Sequence, residues 1–355
     1  MIDALSSKRF LVTNRRRRKA ITIVEVAAGA GVSISTVSRA LAGSPHVHAE
    51  LVARVRTAAA HLGYVPDQRA RALVQRRSNS IGAVVPTIDN AIFARAIQAL
   101  QTRLDAAGYR LLLAASEYDP ARELAGVQAL VEHSVDGLVL VGAEHHPGIV
   151  PLLAARQVPF VHTWTYDPAG PFATIGFDNR QAMRRVVEHV LSLGHRRVAM
   201  IAGIASGNDR AAARIEGLKD ALAAHDLVAE AIVERPYTVP EGRAAARLLL
   251  RRSPAPTALV CGNDVLAFGA LAEAAAMGVV VPRSLSITGF DDLDLASHVV
   301  PPLTTMRVPS SAMGRLAAEH LLSCIAGGEP SNAVALDADL IVRGTTAPPE
   351  IGVDR

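Results

Sequence analysis

A small all-α head joined to a larger α/β body, built as two lobes with doubly wound parallel sheets, is the fold class this sequence predicts. Three observations carry that expectation. Short amphipathic segments with glycine between them occupy residues 22–63, and from Ser80 onward aliphatic strands alternate with amphipathic helices. The hydrophobic half of the composition is almost free of aromatics, which are 4% of the chain; an aliphatic, alanine-rich core suits buried parallel strands covered by helices. Charge divides the chain as well: residues 1–78 hold 14 basic and 4 acidic side chains, whereas the rest holds 23 basic and 29 acidic. A basic head on a mildly acidic body is what binding to a polyanion asks for, because each phosphate neutralised releases counterions.

Within the head, the run Arg15-Arg16-Arg17-Arg18-Lys19 predicts a basic, flexible arm over residues 1–20. The periodic pattern begins at Thr22, where Thr22-Ile23-Val24-Glu25 has capping-box spacing. Val26, Ala27 and Ala30 then mark the buried stripe of a first helix of about nine residues, ended by Gly31. Ser33 caps a second helix, Ile34 to Leu41, with Val37, Ala40 and Leu41 inward and Ile34, Ser35, Thr36, Ser38 and Arg39 outward. Helix, glycine turn and short helix is the arrangement that lays its second helix in a major groove. A third helix, roughly Ala49 to Leu62, packs Leu51, Val52, Val55 and Ala59 behind the pair and stops at Gly63. Residues 21–66 thus form the expected head domain. Residues 67–79 form a hinge: after Tyr64-Val65-Pro66, Asp67 can cap a segment from Gln68 to Val74 that is too short to be a stable helix alone.

The body, residues 80–350, reads as two cycles. In the first, strands at Ile81–Val85, Tyr109–Ala114, Gly137–Val141, Phe160–Thr163 and Ala173–Phe177 alternate with helices near 92–107, 121–133 and 149–156. A helix near Asn179–Leu193 leads to the second. There, strands at Arg197–Ala202, Ala231–Glu234, Ala258–Cys261 and Leu285–Gly289 alternate with helices near 211–224, 242–251 and 265–277. A helix at Ser311–Ile325 and strands around 334–336 and 340–342 close the chain. Two β/α cycles predict two similar lobes, with any ligand held outside the carboxyl ends of the strands.

Other classes fit less well. Gly-x-Gly-x-x-Gly, the phosphate-binding Gly-x-x-x-x-Gly-Lys-Ser/Thr and the Gly-x-Ser-x-Gly elbow do not occur, and Gly203-Ile204-Ala205-Ser206-Gly207 misses the elbow's spacing by one residue. His46-x-His48 and His145-His146 lack the further ligands that zinc requires. No catalytic residue, cofactor or metal is therefore expected, although an enzyme on a two-lobe scaffold remains the rival that turnover of a cleft ligand would reveal. A transported-solute binding protein predicts a secretory signal and no basic head. Met1 to Ala20 has no apolar core of the signal type, and no apolar run approaches the ~18 residues of a membrane span. Cys261 and Cys324 read as buried thiols of a reducing compartment. The expectation is a cytoplasmic protein without a membrane partner.

The motifs together identify a resemblance. Val26-Ala27, then Ala30-Gly31-Val32-Ser33-Ile34-Ser35-Thr36-Val37-Ser38-Arg39-Ala40-Leu41, Gly63-Tyr64-Val65-Pro66 and Ala70-Arg71-Ala72-Leu73 resemble the lactose-repressor (LacI) family of bacterial regulators. The body continues it in order, with Gly194-His195-Arg196-Arg197-Val198-Ala199, Gly262-Asn263-Asp264, Gly289-Phe290-Asp291-Asp292, Pro301-Pro302-Leu303-Thr304-Thr305 and Arg343-Gly344-Thr345-Thr346-Ala347-Pro348-Pro349. The resemblance implies a periplasmic-binding-protein-like core, and a homodimer on a pseudo-palindromic double-stranded DNA operator. It implies that Ile34, Ser35 and Arg39 reach base edges and that Thr22, Ser33, Thr36 and Ser38 hold phosphates. Arg71 would suit a groove, and Leu73 would wedge into the minor groove and kink the duplex. In the body it implies that Arg214, Asn263 and Asp291 contact a small-molecule effector, with Trp164 and Tyr237 facing it and Asn90 and Phe93 at the mouth. A sugar or sugar acid is the first expectation for that effector, and an aromatic or aliphatic carboxylate would suit Arg214 and Trp164 equally. Regulation of transcription, as a repressor, is the function expected, with the effector acting either as inducer or as corepressor.

Overall fold

The computed structural model of the chain describes residues 21–41, 44, 46–65 and 77–350. The arm at 1–20, most of the hinge at 67–79, and with it Arg71 and Leu73, lie outside the described residues. Two compact units are present, one up to Arg76 and one from Arg77 onward.

Three helices make the first unit: α1 (Ile23–Ala30), α2 (Ile34–Leu41) and α3 (Ala49–Leu62). Thr22 and Glu25 close the capping box, and the Thr22 amide donates to the Glu25 carboxylate at 2.6 Å. Gly31 and Gly63 end α1 and α3 with φ of 63° and 66°, left-handed values that glycine adopts without a Cβ penalty. Val26, Val37, Ala40 and Val55 are fully buried and form the small core with Ala27, Ala30 and Ala59, on which Leu41, Val52 and Tyr64 pack.

The second unit holds two six-stranded sheets among the described residues. In the first lobe β1 (Ser80–Val85), β2 (Arg110–Ala115), β3 (Gly137–Val141), β4 (Phe160–Thr163) and β5 (Thr174–Gly176) join β11 (Ala333–Ala335). Their order is β11-β5-β4-β3-β1-β2, and every pairing is parallel. Its helices are α4 (Ala91–Asp105), α5 (Pro120–Glu132), α6 (Ile149–Ala155) and, late in the chain, α11 (Ser310–Ile325). In the second lobe β6 (Val198–Gly203), β7 (Ile232–Arg235), β8 (Ala258–Cys261), β9 (Ser286–Asp291), β10 (Thr304–Arg307) and β12 (Asp339–Ile341) are ordered β12-β10-β9-β8-β6-β7. Its helices are α7 (Asn179–Ser192), α8 (Asp209–Ala223), α9 (Val239–Leu250) and α10 (Asp264–Ala276). The chain crosses between lobes three times, after β5, β10 and β11.

Both faces of each sheet are covered, which is why strands such as Gly137-Leu138-Val139-Leu140-Val141 are apolar throughout and buried at every position. Leu130, Ile149 and Leu153 cover one face of the first sheet, while Leu100, Leu104, Met313 and Leu321 cover the other. Helices α4 and α11 approach closely at Gly314, where an added methyl group would collide with the Ala96 carbonyl. Gly314→Ala should therefore destabilise this unit by about 1–3 kcal/mol, read as a lower melting temperature; an unchanged one would show that the helices can slide apart freely.

Three details depart from the sequence expectation. Strand β10 follows Pro301-Pro302 and consists of Thr304-Thr305-Met306-Arg307, too short and too polar to stand out. It is buried because β9 flanks it in parallel and β12 in antiparallel register, so the second sheet is not wholly parallel. Strand β9 runs on through Phe290 and Asp291. Cys261 is buried as expected, but Cys324 is only half-buried. Among the described residues no helix is long and apolar enough to cross a membrane, and no group of three or more His, Cys, Asp or Glu is placed to hold a metal ion.

Candidate functional site

In the head, the surface of α2 opposite Val37 and Ala40 carries Ile34, Ser35, Ser38 and Arg39, all exposed. Positions 34, 35, 38 and 39 are one helical turn apart in pairs, so they share a face. Ile34 leaves 47% of its surface in water, a cost that an apolar partner would recover. The Ser33 hydroxyl caps α2 by accepting from the Thr36 amide at 3.2 Å, and lies 2.9 and 2.8 Å from the hydroxyls of Ser35 and Thr36. Arg39 donates Nε to the Ser35 carbonyl at 3.3 Å, which steadies its stem and leaves the guanidinium fork outward. Thr22 is exposed at the start of α1, its hydroxyl 3.1 Å from Glu25.

In the body, the seven positions expected around an effector all line one cleft between the lobes: Asn90, Phe93, Trp164, Arg214, Tyr237, Asn263 and Asp291. Each lies at or beyond the carboxyl end of a strand, from β1, β4, β6, β7, β8 or β9, so the two sheets aim their strand ends at a common centre. Asn90 caps α4 by accepting from the Ile92 amide at 3.2 Å. Phe93 and Trp164 stand with ring centroids 5.1 Å apart and tilted by 55°. Asn263 caps α10 through Oδ1, which accepts from the Leu266 amide at 2.9 Å and leaves its amino group toward the cleft.

Arg214 is the centre of a hydrogen-bond relay. Its Nε donates to Asn179 Oδ1 at 2.9 Å and its Nη1 to the Gly262 carbonyl at 2.7 Å. Its guanidinium carbon lies 3.8 Å from the centre of the Phe290 ring, a cation–π contact. Asn179 in turn donates to the Trp164 carbonyl at 2.8 Å, tying a first-lobe loop to a second-lobe helix. Asp291 is 96% buried and burial raises its carboxyl to about 8, against the lowering pull of Arg214. Behind it, Asp264 accepts from the Leu293 amide at 2.7 Å and the Thr305 hydroxyl at 2.6 Å, and burial lifts it to about 6. The second carboxylate of this corner, Asp292, is turned away and bound by Arg307 and Arg343, each at 2.7 Å.

Four more side chains complete the lining: Ile92, Tyr118, Asn208 and Arg210. Helix α8 begins at Asp209, two residues before the start expected from sequence, and this puts Arg210 one turn ahead of Arg214 on the same face. Arg210 donates to Asp209 at 2.7 Å and, across the cleft, to the Val141 carbonyl at 3.1 Å. Asp209 also accepts from the Ala143 amide at 2.8 Å, and Arg95 donates to the Asp292 carbonyl at 3.0 Å, so polar bridges join the lobes on both flanks. Tyr118 sits in the loop after β2 and its ring centroid is 5.8 Å from that of Tyr237. Burial raises both phenols.

Strain marks the same place. Tyr118, Trp164 and Asp291 have φ of 60°, 62° and 123°, conformations that cost of order 1–3 kcal/mol each and persist only where packing holds them. The cleft at Arg214 has a volume of about 30 Å³. Larger chambers of about 870 Å³ and 320 Å³ adjoin it, both sharing Tyr118 with it.

A helix-turn-helix head followed by two lobes with a polar cleft between them is the architecture of a DNA-binding transcriptional regulator. The model of the lacI family of bacterial regulatory proteins matches residues 22–67, and that of the periplasmic binding protein-like domain matches residues 187–346. The chain belongs to the lacI family. It is 35% identical over 337 residues to the HTH-type transcriptional regulator GntR of Pseudomonas aeruginosa, covering 94% of this chain and 98% of that protein. The Lac repressor dimer bound to operator and the anti-inducer ONPF has a similar structure, with a TM-score of 0.84 and 27% identity, covering 93% of this chain and all of that one. The complex of the transcriptional regulator CelR with cellobiose is similar at a TM-score of 0.68 and 28% identity, over 92% of this chain and 99% of that one.

Proposed function

We propose that this protein is an operator-binding repressor, a homodimer, whose affinity for DNA is set by a small sugar, sugar acid or other carboxylate held between the lobes. One observation carries the reading. Seven side chains from six separate strand ends converge on one cleft, and five of them, Asn90, Arg214, Tyr237, Asn263 and Asp291, bring polar groups to it beside the rings of Phe93 and Trp164. Such convergence of polar groups on an apolar-floored cleft is what selects a small polar molecule. The relatives agree in kind: one is a repressor dimer on its operator, and another holds a disaccharide.

In the head, the exposed face of α2 enters the major groove, with Arg39 forking onto a guanine and Ile34 against a thymine methyl. Ser35 reaches base edges beside them, while Thr22, Ser33, Thr36 and Ser38 hold phosphates. Residues 67–79 form the hinge between the head at 21–66 and the core at 80–350. Arg71 and Leu73 of that hinge meet the minor groove, Leu73 as the wedge. Effector binding alters the angle between lobes by exchanging the bridges at Arg210, Asp209 and Arg95, and the hinge passes that change to the head. Coupling of this kind is typically ~1–3 kcal/mol.

The test is operator selection with the purified full-length protein, followed by titration of the selected duplex. Parent protein should prefer one pseudo-palindrome, and Arg39→Ala should relax the preference at a single base pair per half-site by about 1–3 kcal/mol. Sequence-indifferent binding by the parent would refute the reading. A uniform loss across all duplexes in the variant would make Arg39 a phosphate contact instead.

A further inference from the structure

We propose that the molecule seated in the cleft is a polyhydroxylated carboxylate whose acid group lies between the guanidiniums of Arg210 and Arg214. This deepens the reading of the cleft as the effector site and rests on it. Arg210 and Arg214 are 92% and 94% buried. The hydrogen bonds of Arg210 use Nη1 alone, and those of Arg214 use Nε and Nη1. Among the described residues nothing accepts from Nε and Nη2 of Arg210 or from Nη2 of Arg214, although all of these atoms belong to side chains lining the same cleft.

Asp209 pairs with Arg210, but Arg214 has no carboxylate bonded to it; its partners are an amide oxygen, a carbonyl and a ring face. Asp291, on the same wall, is deeply buried, its carboxyl makes no hydrogen bond among the described residues, and burial raises it to about 8. A buried cation without an anion is costly, and its neutralisation by an incoming carboxylate recovers that cost. Arginine's planar fork also matches carboxylate geometry in a way a neutral hydroxyl cannot reproduce.

The rest of the wall argues for hydroxyls on the same molecule. Oδ1 of Asn263 accepts from the Leu266 amide at the helix cap, and its amino group is the donor available to the guest. A protonated Asp291 offers both a donor and an acceptor, as does each phenol of Tyr118 and Tyr237. Phe93 and Trp164 supply the one apolar surface, suited to a carbon skeleton's C–H face. A purely apolar acid would leave the Asn263 amino group, the Asp291 carboxyl and the Tyr118 phenol desolvated without partners.

The experiment is calorimetric titration of the full-length protein with matched sets on the glucose and galactose skeletons: aldonate, hexuronate, aldose and aldonamide. At least one of the acids should bind about tenfold or more tightly than the aldose and aldonamide of its own skeleton, with affinity falling as salt rises. Arg210→Gln should remove that preference and Arg210→Lys should keep part of it. Asn263→Asp, which retains the capping oxygen and replaces the amino donor by a like charge, should lose acid binding with the fold intact. Aldoses that bind as well as the acids, or no binding by any acid, overturn the proposal; bound aldoses would still leave the cleft as the effector site. Acid binding untouched by Asn263→Asp and Arg210→Gln overturns the cleft reading itself.

Discussion

Arg214→Ala should abolish the effector response while operator binding in the absence of effector stays within a few-fold of the parent. The substitution removes two hydrogen bonds, to Asn179 and Gly262, and the cation from the Phe290 face. It also frees Asn179, which holds the Trp164 carbonyl at 2.8 Å and so anchors a first-lobe loop at its strained φ. Each polar atom left without a partner costs about 1–3 kcal/mol, so the two-lobe unit should also melt at a lower temperature. In the parent, the difference in operator affinity with and without effector should be about 5–150-fold; in the variant it should vanish. Arg214→Lys keeps the charge without the fork, and should give a weak response. A full response from Arg214→Ala would remove the relay from any part in sensing.

Asp291→Asn should raise thermal stability at pH 8.5 by about 2 kcal/mol or more and leave it nearly unchanged at pH 4. The native carboxyl keeps its proton up to about pH 8, whereas in the unfolded chain it ionises near ~3.9. Between those values the unfolded chain binds fewer protons than the native one, so stability declines as pH rises through the window and levels off above it. Asparagine is neutral at every pH and lacks this decline. Asp264, raised to about 6, adds a shallower fall between pH 4 and 6 in parent and variant alike. Melting curves across pH 4–9 without effector measure the difference; parallel profiles would place the Asp291 carboxyl in water or in a tight ion pair.

How far the cleft could be read in advance depended on the range of the signal. The resemblance marks Asn90, Phe93, Trp164, Tyr237, Asn263 and Asp291, whereas the alternation of strands and helices says only that the carboxyl ends of the strands converge on a ligand. Tyr118 gave no such sign, because its place opposite Tyr237 depends on how two loops from different lobes meet. Arg210 was missed for a local reason. The helix was expected to start at Ala211, and only the cap from Asn208 to the Ala211 amide, which starts it at Asp209, puts Arg210 on the face of Arg214. Strand β10 escaped because a four-residue strand after two prolines owes its existence to its neighbours.

Periodicity, capping residues and charge are written in short stretches of chain, and from them alone came the three head helices, the outward face of α2, the alternation of the body and the basic-to-acidic divide. Sheet order, the three crossings between lobes, the left-handed backbone at Trp164 and Asp291, and the want of an anion beside Arg214 were decided only on folding. The reason is the reach of the forces involved. Helix and strand preferences act over a few neighbouring residues, whereas the surroundings of the Arg214 guanidinium are set by Asn179, Gly262 and Phe290, distant in sequence, which packing alone brings within 4 Å.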